Sequence, residues 1–317
     1  MSLVVLSALL PVVALILLGL LVGRTGWVSP AWVGRLSTLS FMVLTPVVLF
    51  RTMGRVHVEQ LDLRPAAVYI AALGLVFAGM VWWRGMNRTA VVLALGVTYS
   101  NAVMIGIPLV QLAWGDAGLV TLLTLIPVHS LVLLTAATVA LEFALAREQA
   151  ARAPVRTGHL LRVSGLALRK ALLHPVPLPI IAGLLFAQTG WVMPPLAEQL
   201  MRWVGMAFGP LALMLVGIAL AGSTIGAQMR PALQLAAIKN LAVPVLAAGL
   251  GWALGMRGVP LTVLVATAAL PMGANVFIFS QRYGVAQPLI TASVAVSTLL
   301  ALASVSLVMV LAGMGQD

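Results

Sequence analysis

The chain has no cysteine among its 317 residues. That excludes disulfides, thiol catalysis and cysteine-ligated metals. Charge is scarce too: 8% of residues are Asp, Glu, Lys or Arg against 62% hydrophobic, and the mean hydropathy is +1.12. Such a composition excludes a soluble globular domain and a disordered chain alike. Acidic residues are the scarcest charged class: Glu59, Asp62, Asp116, Glu142, Glu148, Glu198 and Asp317. All fall in loops or near the ends of apolar segments, and none at the centre of one. Burying a carboxylate in a membrane is costly and marks function, so this distribution argues against an exchanger built on a buried aspartate pair. Enzyme signatures are missing as well: there is no His-Glu-x-x-His, no Gly-x-Ser-x-Gly and no Walker loop. The four histidines (His57, His129, His159 and His174) do not have metal-ligand spacing. The chain therefore reads as neither an enzyme nor a metalloprotein, and no cofactor is expected. Its coupling to protons or sodium is left open.

What is present is a series of apolar runs. A membrane span needs roughly 20 apolar residues, and ten candidates follow: 3–23, 33–52, 66–83, 90–113, 118–143, 174–189, 199–222, 232–255, 260–282 and 286–313. The first is too long to read as a cleaved signal peptide. The formal net charge of +11 does not point to nucleic acid. Most Lys and Arg fall in loops, where they fix orientation in the bilayer. Twelve belong to odd-numbered connections, Arg24, Arg84, Arg147 and Arg156 among them. Five (Arg51, Arg55, Arg64, Arg202 and Arg257) belong to even-numbered ones. The odd connections are thus expected in the cytoplasm and both termini in the periplasm. The longest polar stretch separates a first five-span unit (1–146) from a second (174–317). This linker, 147–173, is expected at the cytoplasmic lipid surface, with an amphipathic stretch at 159–170.

Two spans are interrupted in the same way, one in each half. Span four contains Ser100-Asn101-Ala102-Val103-Met104-Ile105-Gly106-Ile107-Pro108, and span nine contains Leu270-Pro271-Met272-Gly273-Ala274-Asn275-Val276. Proline lacks the N–H a helix needs, and glycine weakens helix interiors. Breaks are therefore expected around Gly106 and Pro108, and around Pro271 and Val276. Irregular backbone at bilayer depth survives only where it is buried in protein or lines a cavity. Matched interruptions in two halves point to the binding site of a secondary transporter. Spans two and seven also share a proline motif, at Leu44-Thr45-Pro46 and Gly209-Pro210. Five spans is an odd number, so two tandem units would have opposite orientation. The expected fold is an all-α polytopic membrane protein of two inverted five-helix repeats, with broken helices four and nine. Gly19/Gly23, Gly205/Gly209 and Gly251/Gly255 have the spacing that permits close helix packing.

Polar side chains at depth complete the reading. Asn101 and Asn275 offer donors and acceptors at the two breaks. Ser100, Gly273 and Thr45 are candidates beside them. The N–H groups beyond each break attract a carboxylate. His129, midway along span five, suits donation to a carboxylate or carriage of a proton. Lys239, followed by Asn240 in span eight, either neutralises an anion or snorkels to the surface. These features together suit a small organic anion.

At the same residues the chain resembles the auxin efflux carrier family, which includes plant PIN-formed carriers and bacterial organic-anion carriers. Asn101 to Leu109, with its Gly-Ile-Pro-Leu ending, resembles the family's fourth-span motif. Trp114-Gly115-Asp116 resembles the turn after it. Leu270-Pro271-x-Gly273 with Phe277-x-Phe279 and Tyr283-Gly284 resembles the ninth-span motif. The resemblance implies a fold shared with bile-acid transporters and sodium/proton exchangers. It implies a scaffold of spans 1, 2, 6 and 7, and a transport domain of spans 3–5 and 8–10. It further implies a substrate site where spans four and nine cross, homodimers, and an elevator-like motion. Plant members carry a glutamine where this chain places His129. They have proline where this chain has Ser100, and a crossover proline near Val276, where this chain offers Asn275. These departures turn the expectation from auxin to malonate- or malate-like dicarboxylates in a bacterial inner membrane. A sodium-coupled symporter of the same fold and a membrane ligand sensor are the rival readings.

Overall fold

An apolar chain in lipid must satisfy its backbone hydrogen bonds internally, and a helix does so within one segment. The computed structural model describes residues 2–55, 63–151, 175, 177–222 and 225–314. Every named element among the described residues is helical. The chain opens with α1 (Ser2–Thr25). Next, α2 (Pro30–Leu39) runs through a π turn at Ser40–Leu44 into α3 (Thr45–Met53). Then come α4 (Leu63–Arg84) and α5 (Arg88–Thr98), a π turn at Ala102–Gly106, and α6 (Ile107–Ala151). Within α6, Gly115 turns the backbone at φ 58°, ψ −147°, a conformation open to glycine because it has no Cβ. The second half has α7 (Pro177–Gln188), α8 (Pro195–Ala221) and α9 (Ile225–Ala237). A π turn at Ile238–Ala242 leads to α10 (Val243–Ala253), followed by α11 (Gly258–Ala269), α12 (Ala274–Tyr283) and α13 (Gln287–Met314).

Among the described residues, six helices are long and apolar enough to cross a membrane: Ala31–Met53, Leu63–Arg84, Ala117–Glu148, Pro195–Ala221, Gly226–Ala253 and Gln287–Leu311. Four further apolar helices are shorter: Leu10–Thr25, Arg88–Thr98, Leu178–Gln188 and Gly258–Ala269. Two of these, α5 and α11, end at interruptions. The first lies at Tyr99–Asn101, ahead of the expected Gly106 and Pro108, which the continuing π turn and α6 accommodate; the second spans Leu270–Gly273, at the expected Pro271, whereas Val276 lies inside α12. At 1.5 Å per residue α5 and α11 each reach about 17 Å, roughly half of a 30 Å hydrocarbon layer. The polar stretch at 152–174, with its expected amphipathic segment, lies outside the described residues, while α6 continues to Ala151.

Each π turn directly precedes an X-Pro pair: Thr45-Pro46, Ile107-Pro108 and Val243-Pro244. In each, the N–H of X donates to a carbonyl five residues back, that of Ser40, Ala102 or Ile238. Proline cannot donate, and its ring collides with the carbonyl four residues earlier. The wider turn relieves that collision without ending the helix.

Glycine sets the closest helix contact. α1 packs along α8, and a Cβ built on Gly19 would strike the Met214 carbonyl. One built on Gly217 would strike the Ile16 carbonyl, and one on Gly23 would lie 2.7 Å from Ala221 Cβ. α3 packs on α7 and α8, while α4, α5, α6, α10 and α11 pack among themselves.

Candidate functional site

The two breaks lie against each other. α5 ends at Tyr99, whose backbone is extended (φ −87°, ψ 111°), and α11 ends at Leu270 (φ −57°, ψ 153°). Between these points and the next helices the strands pair. The Asn101 N–H donates to the Pro271 carbonyl (2.9 Å) and the Gly273 N–H to the Tyr99 carbonyl (2.8 Å). Ser100 and Met272 thus form an isolated antiparallel bridge. Backbone groups that a helix break orphans must find partners in a dry interior, and here each break supplies the other's. Gly273 also admits the Tyr99 ring, since a Cβ there would lie 2.7 Å from it.

A cavity of about 90 Å³ opens beside this crossing. Tyr99, Ser100, Asn101, Gly273 and Asn275 come to it from the breaks, and His129 and Ser130 from α6. The facing wall is Val48 of α3 with Gly205, Phe208 and Gly209 of α8. Among the described residues, none that lines it is Asp, Glu, Lys or Arg. Ala102, Val103, Ala274 and Asn275 also line it and are the first residues after the breaks. The first N–H groups of a helix have no intrahelical acceptor, and they carry partial positive charge. The positive ends of two helix dipoles thus border the cavity.

Several of its polar side chains are linked. The Asn275 amide donates to the Tyr99 hydroxyl (3.1 Å), which is 3.1 Å from Ser130 Oγ. The Tyr99 ring stacks on His129, with centroids 4.4 Å apart. Tyr69 closes the back, its hydroxyl 3.0 Å from Ser100 Oγ. The Asn101 side chain is only 8% exposed, lines the cavity, and has no hydrogen-bond partner among the described residues.

His129 Nε2 accepts from the Ser100 N–H at 3.4 Å. Accepting requires a lone pair, so this arrangement holds the neutral ring with its hydrogen on Nδ1. In this arrangement the imidazole supports the first break. His129→Leu leaves the Ser100 N–H without an acceptor. It is expected to lower uptake about fivefold, the low end of the cost of an unsatisfied buried donor. His129→Gln, whose amide oxygen can accept, should lower it less. Initial uptake rates decide this, and equal losses in both variants would remove the acceptor role.

The remaining sequence candidates lie outside the cavity lining. Thr45 is buried, and Val48, nearly one turn further on, faces the cavity. Gly106 packs under the second break, where a Cβ would lie 3.0 Å from Leu270. Pro108 is the second residue of α6. Pro271 supplies the carbonyl described above, and Val276 is buried in α12. Phe279 and Tyr283, further along α12, pack edge-on against Phe41. Lys239 does not snorkel: it is fully buried (0% exposed). Its ammonium donates to the Ala268 carbonyl (2.7 Å), and Asn240 Nδ2 donates to that of Ala269 (3.1 Å).

Tyr99, Ser130, Gly205 and Phe208 were not singled out from the sequence as site residues. Tyr99 and Ser130 each adjoin a residue that was, and adjacency to a break was the available signal. Nothing local distinguishes Phe208 from any other membrane aromatic.

Interrupted helices meeting at a small cavity inside an apolar bundle are the arrangement found at the binding sites of secondary transporters. The family model described as "Membrane transport protein" matches residues 4–309. The chain belongs to this membrane transporter family, that of the auxin efflux carriers, and is a multi-pass membrane protein. It is also similar to a protein of Rhizobium meliloti (strain 1021) described as "Putative malonate transporter". The two are 27% identical over 313 residues, covering 94% of this chain and 92% of the relative.

Proposed function

We propose that the protein carries a small organic anion, a carboxylate of malonate-like size, across the bacterial inner membrane. The substrate sits at the crossing of the two interrupted helices. The observation that carries this reading is the Asn101 amide: it lines the cavity, has no hydrogen-bond partner among the described residues, and is flanked by helix N-termini from both breaks. An amide that lines a cavity with its donors and acceptor unpaired is available to a ligand. Size supports a small substrate. Drug-sized ligands take about 300–1,000 Å³, and this cavity holds about 90 Å³. The description of the Rhizobium relative agrees with that size and charge.

The wider proposal is ten spans in two inverted repeats, with both termini periplasmic and the 147–173 linker cytoplasmic. In it, α1, α2–α3, α7 and α8 form a scaffold, and the other helices carry the substrate past it as an elevator, in a homodimer. Packing supports this division, since α1 lies on α8 and α3 on α7, whereas α4–α6 pack with α10 and α11. The cavity has one wall from each group.

The test is counterflow in proteoliposomes with radiolabelled malonate, competed by mono- and dicarboxylates of increasing length. Short dicarboxylates should compete best. Binding without flux would identify a ligand sensor. Flux of neutral amides as fast as of carboxylates would overturn the anion assignment.

A further inference from the structure

A second polar cluster lies outside the cavity, at the C-terminal end of α11. The last carbonyls of a helix have no intrahelical donor and carry partial negative charge. Here they are met by two consecutive side chains, Lys239 and Asn240, both fully buried. Consecutive residues on an α-helix point about 100° apart. Both turn inward here because they sit in the π turn Ile238–Ala242. Asn240 extends the cluster: its Oδ1 accepts from Ser297 Oγ (2.6 Å), which in turn accepts from the Met272 N–H (2.9 Å). Ser304 Oγ donates to the Ala269 carbonyl (3.2 Å). The second break is thus held from behind by α13 and the π turn.

The ammonium is what needs explaining. Removing a charge from water costs several kcal/mol unless it is compensated. None of the ion pairs among the described residues involves Lys239. The group it bonds is a helix-terminal carbonyl, that of Ala268. In transporters with discontinuous helices, such C-terminal ends coordinate the coupling cation.

We propose that the Lys239 ammonium is a tethered replacement for that cation. It is a fixed positive charge at the end of α11 that balances an anion bound beyond the break, so that the carrier needs no bound sodium or potassium. The balancing role rests on the anion-carrier reading above, whereas occupation of a cation position by Lys239 does not. Lys239 acts on the substrate through the break and is a positioning residue.

Truncation makes the test. Lys239→Ala deletes three carbons and the ammonium, which together correspond to n-propylammonium. Malonate uptake by this variant should fall about 10- to 150-fold, the loss of one charged buried hydrogen bond. n-Propylammonium should restore much of it, and choline should not. Lys239→Met fills the space without charge, so it should be equally slow and should not respond. Native uptake should be the same in sodium, potassium or choline medium. A second readout needs no transport: n-propylammonium should raise the melting temperature of detergent-solubilised Lys239→Ala and leave the native protein unchanged. Native protein that moves no carboxylate would sink the anion-carrier reading, while the melting shift would still report on Lys239. Three results overturn the proposal: native rates in Lys239→Met, an obligatory sodium requirement in the native protein, or no melting response in a folded Lys239→Ala. If neither variant folds, the native cation exchange decides alone.

Discussion

Replacing Asn101 by alanine is expected to lower carboxylate uptake by about 5- to 150-fold, the 1–3 kcal/mol of one lost buried polar contact. The variant should stay folded. The Asn101 side chain has no hydrogen-bond partner among the described residues, so its removal breaks no bond within that part of the fold. The backbone bond from the Asn101 N–H to the Pro271 carbonyl survives the change. Asn275→Ala should lose a similar amount by a different route. Its amide donates to the Tyr99 hydroxyl, so the ring keeps Ser130 as its polar anchor and moves within the cavity. Asn101→Asp separates charge from shape, since it is nearly isosteric but puts a carboxylate beside the substrate. For an anionic substrate it should be worse than alanine. Uptake and binding measured on monodisperse protein check all three variants. An aspartate variant that transports as well as native would end the anion assignment.

The second large effect is on folding. Gly217→Val is expected to destabilise the protein by about 3 kcal/mol, the upper end of overpacking costs. The added carbons would meet the Ile16 carbonyl, the Leu20 nitrogen at 2.7 Å and the Gly19 carbonyl carbon at 2.9 Å. All of these are backbone and cannot rotate away. Gly19→Val should behave alike from the opposite helix. Gly74→Ala is the control, because a Cβ there meets nothing within 4 Å. Thermal unfolding in detergent reads the difference. A native midpoint for Gly217→Val would mean that α1 and α8 are not in backbone contact.

The breaks were legible because their causes are local. Pro271 cannot donate, Gly273 weakens a helix, and an asparagine in each apolar run marks a polar interruption, although the first break falls at Tyr99–Asn101 and not at Gly106. That the breaks pair with each other was beyond the sequence. The bonds from Asn101 to Pro271 and from Gly273 to Tyr99 join residues some 170 positions apart, and no period encodes such a meeting. The far wall of the cavity was hidden for the same reason: Gly205 and Phe208 are ordinary residues of an apolar helix until α8 is placed opposite the crossing. Thr45 was expected at the site from its proline motif, yet Val48 faces the cavity. For Lys239 the sequence left two readings, neutralising an anion or snorkelling, because a long cationic side chain two turns into a span can usually reach the interface. Its capture by the end of α11 depends on a helix from elsewhere in the chain.

The three π turns make the protein sensitive to chain length in a way that substitutions would not reveal. Each holds one residue more than a helical turn, and one residue is a rotation of about 100°. The helix ahead of each proline is therefore out of phase with the helix behind it. Deleting a single residue from 238–242 would restore a regular winding, set the Pro244 ring against a carbonyl again, and swing everything upstream by more than a quarter turn. Lys239 and Asn240 could not then both face Ala268 and Ala269. In these short segments the count of residues constrains the protein more tightly than their identity.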